Sequence, residues 1–179
     1  MDEDEILIQR VIKGDVGAFR PLVERYQRPV LRFIANIAGN RHLSEDVAQE
    51  VFLAAYRAIR SFDPDRSRFV TWLFTIARNR TLTAMRKRQD EYAAELPDQV
   101  ARDGPGDDAE RAELYGALDK ALAGLPFEQR TAFVLAEFEE LTYEEIARTE
   151  QTNVGTVRSR IGRAREKLRQ VLHEYGEGR

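Results

Sequence analysis

The residues with the most chemistry to offer are basic and small polar side chains in the last quarter of the chain. Thr142-Tyr143-Glu144-Glu145 has the form of a capping box, with Thr142 as N-cap and Glu145 reaching back to it. Asn153 can cap a second helix a few residues later. In that helix Val157, Ile161, Ala164 and Leu168 fall on one face at about 100° per residue. Arg158, Ser159, Gly162 and Arg163 are left on the outward side. Two helices joined by a short turn, the second presenting cations and hydroxyls, describe a helix-turn-helix. Arg158 and Arg163 could reach guanine edges, and Ser159 or Thr156 a base or phosphate. The plainer alternative is a surface helix pair whose arginines only solubilise it.

Charge supplies the second signal. The formal net charge of the 179 residues is −3, which does not suggest a polyanion binder. Between Arg57 and Arg88, however, nine basic side chains face two acids, a local balance of +7. Thr156 to Leu172 carries +5. Between these blocks, Gln89 to Glu113 carries −7. Local patches rather than the sum decide where a phosphate backbone can sit.

Other chemistry has little material. There is no cysteine, hence no disulfide, thiolate zinc site or cysteine nucleophile. The two histidines, His42 and His173, are too few for a histidine-rich metal site. No nucleophile–base pair, glycine-rich phosphate loop or metal-ligand set stands out. Gly104 and Gly106 lie among acids that would repel phosphate. We therefore expect no catalytic residues, no cofactor and no enzyme activity. No apolar run approaches the roughly 18 residues of a membrane span, and the start is acidic where a signal peptide is basic. A cytoplasmic protein without membrane insertion is expected.

The elements that position these residues are helical throughout. Composition, 42% hydrophobic and 33% charged, suits packed cores. Phe19, Leu22, Val23, Tyr26, Val30, Phe33, Ile34 and Ile37 form one stripe at helical spacing. Pro21 fits a first turn, whereas Pro29 predicts a kink or break. A short helix bearing Ile6, Leu7, Val11 and Ile12 precedes, ending near Gly14. Ser44 is a plausible N-cap for a helix striped by Val47, Val51, Phe52, Ala55 and Ile59. Asp63-Pro64-Asp65 reads as a turn. Phe69, Trp72, Leu73, Ile76 and Ala77 start another helix, with Trp72 in its core stripe. Pattern dissolves from about Gln89 to Asp108. It resumes at Leu114, Leu118, Ala121 and Leu125, with Pro126 opening a further helix. The expected fold is all-α: two small helical domains, 1–90 and 112–179, joined by a flexible acidic linker at 91–111, the second a helix-turn-helix domain.

With these residues in view, the chain resembles bacterial alternative sigma factors of the extracytoplasmic-function (ECF) group. The resemblance rests on Leu141–Ala147 followed by Val154–Arg160, on Gly14–Phe19, on Glu45–Phe52 and on Phe69–Asn79. It implies a first domain that docks on RNA polymerase core and reads and melts the −10 promoter element. Docking carries over to Asp46, Gln49, Glu50 and Phe52. Phe62 and Asn79 match positions that capture a flipped base, and Arg78, Arg80, Thr83 and Arg86 would follow the separated strand. Base stacking worth about 1–3 kcal/mol makes such capture competitive with the duplex. In the second domain Arg158, Ser159, Arg160 and Arg163, with Thr156 nearby, would read the −35 element. Gly162 departs from the pattern, since many relatives carry a larger side chain there. The resemblance also implies an anti-sigma factor as regulator. The acidic linker would then screen the basic faces in the free protein. A stand-alone operator-binding regulator and a protein–protein adaptor remain as rival classes, separable by polymerase dependence and by salt dependence of DNA binding.

Overall fold

The computed structural model describes residues 2–39, 41–92 and 109–177. Among them the regular elements are all helical. Helix α1 (Glu3–Ile12) opens with three acids in its first turn, which suits the positive end of the helix dipole. It ends before Gly14, whose φ of +103° glycine tolerates. Asp4 is buried and accepts from both Arg25 and the Tyr26 hydroxyl, tying α1 to α2 (Phe19–Ala38).

Helix α2 corrects one expectation. It runs unbroken through Pro29. The missing N–H and the ring cost about 3 kcal/mol, but Val30, Phe33, Ile34 and Ile37 beyond it are wholly buried. Their burial is worth about 1.5–3 kcal/mol each and offsets that cost. Pro21 sits in the first turn, as expected.

Ser44 is a second correction. Gly39, in left-handed conformation, closes α2, and α3 (Arg41–Ala58) starts two residues later. Ser44 therefore lies inside the helix, buried, rather than capping it. The turn at Asp63–Asp65 forms as expected: Asp63 accepts from the Arg66 N–H through its carbonyl and from the Asp65 N–H through its side chain.

Helix α4 (Phe69–Tyr92) packs on α2 and α3, with Phe33 and Phe74 edge-to-face at 5.0 Å. The second half comprises α5 (Ala109–Ala123), α6 (Phe127–Glu137), α7 (Tyr143–Thr149) and α8 (Val154–Glu177). Pro126 is the residue preceding α6, as its sequence position suggests. Helix α8 lies against α5, α6 and α7. The expected linker, 91–111, falls largely on residues 93–108, outside the described residues.

The halves pack on one another, α7 against α4 and α6 against α2. One continuous apolar cluster runs from Ile8 to Ile161. Buried Arg130 on α6 makes three hydrogen bonds of 3.0 Å, one of them across to the first half. It donates to the Ile37 carbonyl near the end of α2, to the carbonyl of Ala123, the last residue of α5, and to that of Leu125 just beyond. Carbonyls at helix carboxy termini carry partial negative charge, so they serve this cation in place of a carboxylate.

Candidate nucleic-acid interface

The helix-turn-helix is assembled by its caps. The Thr142 hydroxyl oxygen accepts from the Glu145 N–H at 3.3 Å, and Glu145 accepts from the Thr142 N–H at 2.9 Å. The turn is closed by the Thr152 N–H donating to the Ala147 carbonyl at 2.9 Å, with Gln151 at φ +52°. The Asn153 side-chain oxygen then accepts from the Thr156 N–H at 2.8 Å and starts α8. Val157, Ile161, Ala164 and Leu168 are buried, fixing the rotation of α8. Arg158, Ser159, Gly162 and Arg163 are consequently exposed, and Thr156 is half-buried. A β-carbon built on Gly162 would meet nothing within 4 Å, so this stretch of the outward face is open.

Arg160 differs from its neighbours. It is turned inward and donates to Glu150 at 2.6 Å, with Glu128 3.7 Å away. The Glu150 side chain is wholly buried. Burial raises the Glu150 pKa, an effect opposed by the bond from Arg160. Sequence spacing alone put Arg160 beside Arg158 and Arg163; packing of α8 on α7 separates it from them.

The basic face of α4 divides in the same way. Asn79, Arg80, Thr83 and Arg86 are exposed, and the Thr83 hydroxyl donates back to the Asn79 carbonyl at 3.0 Å. Asn79 and Arg80 line a shallow groove between α3 and α4 with Ala54, Arg57, Ala58 and Ile76. Arg78 does not join them. Its side chain is only 12% exposed and donates to Glu128 at 2.6 Å. Its guanidinium also sits 5.6 Å from the centroid of the Phe127 ring. Phe62 is buried too. Its ring meets Phe69 at 5.7 Å and Trp72 at 5.6 Å, and it does not line the groove that holds Asn79. Trp72, expected in the core stripe, is half-buried in this aromatic cluster.

On α3, Asp46, Gln49 and Glu50 are exposed and Phe52 is half-buried against the core. Sequence reasoning missed Leu53 and Tyr56, which are 56% and 36% exposed beside these residues. The signal was available: Leu53 lies off the Val47-Val51-Ala55 stripe, so an apolar side chain there must face outward.

Also missed was the second role of Glu145. Besides capping α7, it accepts from Arg68 at 2.6 Å and from the Thr71 hydroxyl at 3.0 Å, both near the start of α4. Burial would raise its pKa, but the Arg68 bond, the Thr142 N–H and the Thr71 hydroxyl together hold it down to about 2. Among the described residues no helix is long and apolar enough to cross a membrane, and no cluster of three potential metal ligands occurs.

These features define a helical transcription regulator, with a capped helix-turn-helix in one half and a cationic helix in the other. Residues 22–91 match the family model for sigma-70 region 2, and residues 115–168 that for sigma-70 region 4. The RNA polymerase sigma-H factor of Pseudomonas aeruginosa is 40% identical, over 96% of this chain and 94% of the relative. The ECF RNA polymerase sigma factor SigW of Bacillus subtilis is 36% identical, over 93% and 95%. Among solved structures, the sigma factor RpoE in complex with the anti-sigma factor NepR from Bartonella quintana aligns with a TM-score of 0.75 at 28% identity, covering 87% of this chain and 96% of that one. CnrH in complex with the cytosolic domain of CnrY aligns with a TM-score of 0.73 at 28% identity, covering 97% and 99%. The chain belongs to the ECF sigma factors, alternative sigma factors that direct promoter-specific transcription initiation.

Proposed function

We propose that the protein acts in the cytoplasm as a non-enzymatic specificity subunit, with its two helical halves dividing promoter recognition. The half within 112–179 engages the −35 element through α8. Arg158 and Arg163 reach base edges, Ser159 and Thr156 contact bases or phosphates, and Arg160 braces the turn through Glu150. The half within 1–90 docks on RNA polymerase core through Asp46, Gln49, Glu50 and the half-buried Phe52, with Leu53 and Tyr56 adding apolar area. Exposed aromatic and aliphatic anchors among charged side chains suit such an interface. Asn79, Arg80, Thr83 and Arg86 follow the separated −10 strand and help melt it, and Asn79 contributes to the groove where an extruded base is held. Arg78 joins them once freed from Glu128. Phe62 supports this surface from within the aromatic cluster. An anti-sigma factor is the expected inhibitor; the similar sigma factor RpoE is solved in complex with the anti-sigma factor NepR.

The outward row Arg158, Ser159 and Arg163 on a helix fixed by its cap carries this reading. The test is reconstitution with purified core polymerase on fragmented genomic DNA of the source organism. Discrete start sites sharing two spaced upstream elements are expected, and Arg163→Ala should weaken use of the −35 element. A protein that makes no transcripts with core but shifts duplex DNA alone would be a stand-alone regulator instead.

A further inference from the structure

Glu150 stands where a carboxylate is least favoured. It is the C-cap of α7, at the negative end of that helix, and its side chain is wholly buried. One oxygen, Oε1, has no hydrogen-bond partner, while the other accepts from Arg160 at 2.6 Å. A buried ion pair with an unsatisfied oxygen adds little to stability, so what it specifies is the better guide to its use. What it specifies is the direction of Arg160. At about 100° per residue, Arg160 falls about 60° round α8 from Arg163 and about 40° from Thr156, at the edge of the outward face. A helix about 10–12 Å across nearly fills a major groove about 12 Å wide, so its edges face the phosphates of the groove walls. An arginine at such an edge would ordinarily take a phosphate. Here Glu150 holds it back, with Glu128 3.7 Å from the same nitrogen, and leaves it 25% exposed. Arg158 and Arg163, by contrast, are exposed.

Building on the reading of α8 as the −35 helix, we propose that Glu150 is a specificity-determining residue: it withholds Arg160 from the groove wall and leaves sequence to Arg158, Ser159 and Arg163. A phosphate contact strengthens binding to every duplex. A released Arg160 could find a phosphate in any register, whereas on the −35 element the base contacts already fix the register and rotation of α8. Release therefore favours random sequence over the promoter. It also slackens the brace between α7 and α8 that aims Arg158 and Arg163. A genome offers vastly more random sites than promoters, so a protein that sheds one such contact is held less by the wrong DNA. The pair lies within the second half and needs no residue of the first.

The test releases Arg160 in two ways. Glu150→Gln keeps the shape of the side chain and removes the charge that holds Arg160. Glu150→Met fills the same buried space without a polar group. Glu150→Gln combined with Arg160→Met restores the net charge of the parent and deletes the released cation. Glu144→Gln, at an exposed acid of α7, is the control for added net charge alone. Each full chain is titrated with a fluorescent random-sequence duplex pool from about 50 to about 200 mM salt. The second probe is the −35 duplex defined by transcription with core polymerase, and circular dichroism checks folding.

Both release variants are expected to bind the random pool about fivefold more tightly at about 100 mM salt. Their log affinity should fall more steeply with log salt by about 0.9, the signature of one more phosphate contact. Binding to the −35 duplex should change about twofold or less, so discrimination falls. The double variant should return the slope to that of the parent, and Glu144→Gln should leave it there. An unchanged slope in both release variants overturns the proposal, as does an equal rise in Glu144→Gln or a rise that survives Arg160→Met. A parent chain that binds no duplex at about 50 mM salt overturns it together with the assignment of α8. The sigma reading fails separately: the parent then makes no start sites with core polymerase, whatever the salt slopes on the random pool.

Discussion

Glu145→Gln separates the two jobs of one side chain. A glutamine at the third position of α7 can still accept from the Thr142 N–H, so the capping box survives. What it cannot supply is the negative charge that meets Arg68. The ordinary glutamate pKa of 4.5 is held down to about 2 in the fold. At about 1.4 kcal/mol per unit, that shift bounds the charge-dependent stabilisation at roughly 3 kcal/mol. Arg68 is 61% exposed, and solvent screening at its end reduces the figure. We expect a loss of about 2 kcal/mol at neutral pH, seen as a fall in Tm of about 4–8 °C for a chain of this size. The sign with pH is fixed. A carboxyl with a depressed folded-state pKa stabilises fully above its unfolded value and loses that contribution as pH falls toward the folded one. The parent-minus-variant difference should thus be level above about pH 4.5 and vanish toward pH 2. Glu139 and Glu150, whose pKa values are raised by burial, act in the opposite direction but are common to both proteins and cancel. Urea denaturation of both proteins from pH 7 to pH 2.5 supplies the measurement. A difference that persists unchanged at the acid end would show that the effect is packing rather than charge, and would refute the reasoning.

Three further outcomes follow from the geometry. Arg130→Met keeps most of the side-chain volume but strands the carbonyls of Ile37, Ala123 and Leu125; a loss of about 3–5 kcal/mol in urea unfolding is expected. Gly162→Ala adds a methyl group to open space inside a helix, so thermal unfolding should show a gain of about 1 kcal/mol. Arg158→Ala, which alters an exposed cation rather than a buried pair, should leave Tm nearly unchanged. It should lower duplex affinity by about 1–3 kcal/mol if it reads a base, with discrimination lost at one position of a systematically varied −35 duplex.

Most of what was legible in the sequence was short in range. The capping box of Thr142 and Glu145, the Asn153 cap and the Asp63 turn each involve residues two or three apart. Such contacts form whenever the backbone takes the local shape their side chains favour. The apolar stripes were legible for a related reason, because a 3.6-residue period leaves one solution for which face turns inward. Pro29 and Ser44 show where local rules yield. The cost of a proline inside α2 is smaller than the burial gained by continuing it, and α3 has already begun at Arg41, just after Gly39 closes α2, so Ser44 falls inside it.

The sequence by itself determined the helices, the outward row on α8 and the family to which the chain belongs. Tertiary structure alone decided which charges are spent within the protein. Arg68, Arg78 and Arg160 look like Arg80, Arg86 and Arg163 along the chain, yet the first three are paired with Glu145, Glu128 and Glu150. Glu145 and Arg68 lie 77 residues apart, and Glu128 and Arg78 lie 50 apart. With 28 basic and 31 acidic side chains, composition permits many pairings and selects none. Only tertiary packing, which brings Glu128 of α6 and Glu145 of α7 to the α4 arginines and α8 to the end of α7, selects a particular few, and an ion pair gains strength and geometry where water is removed.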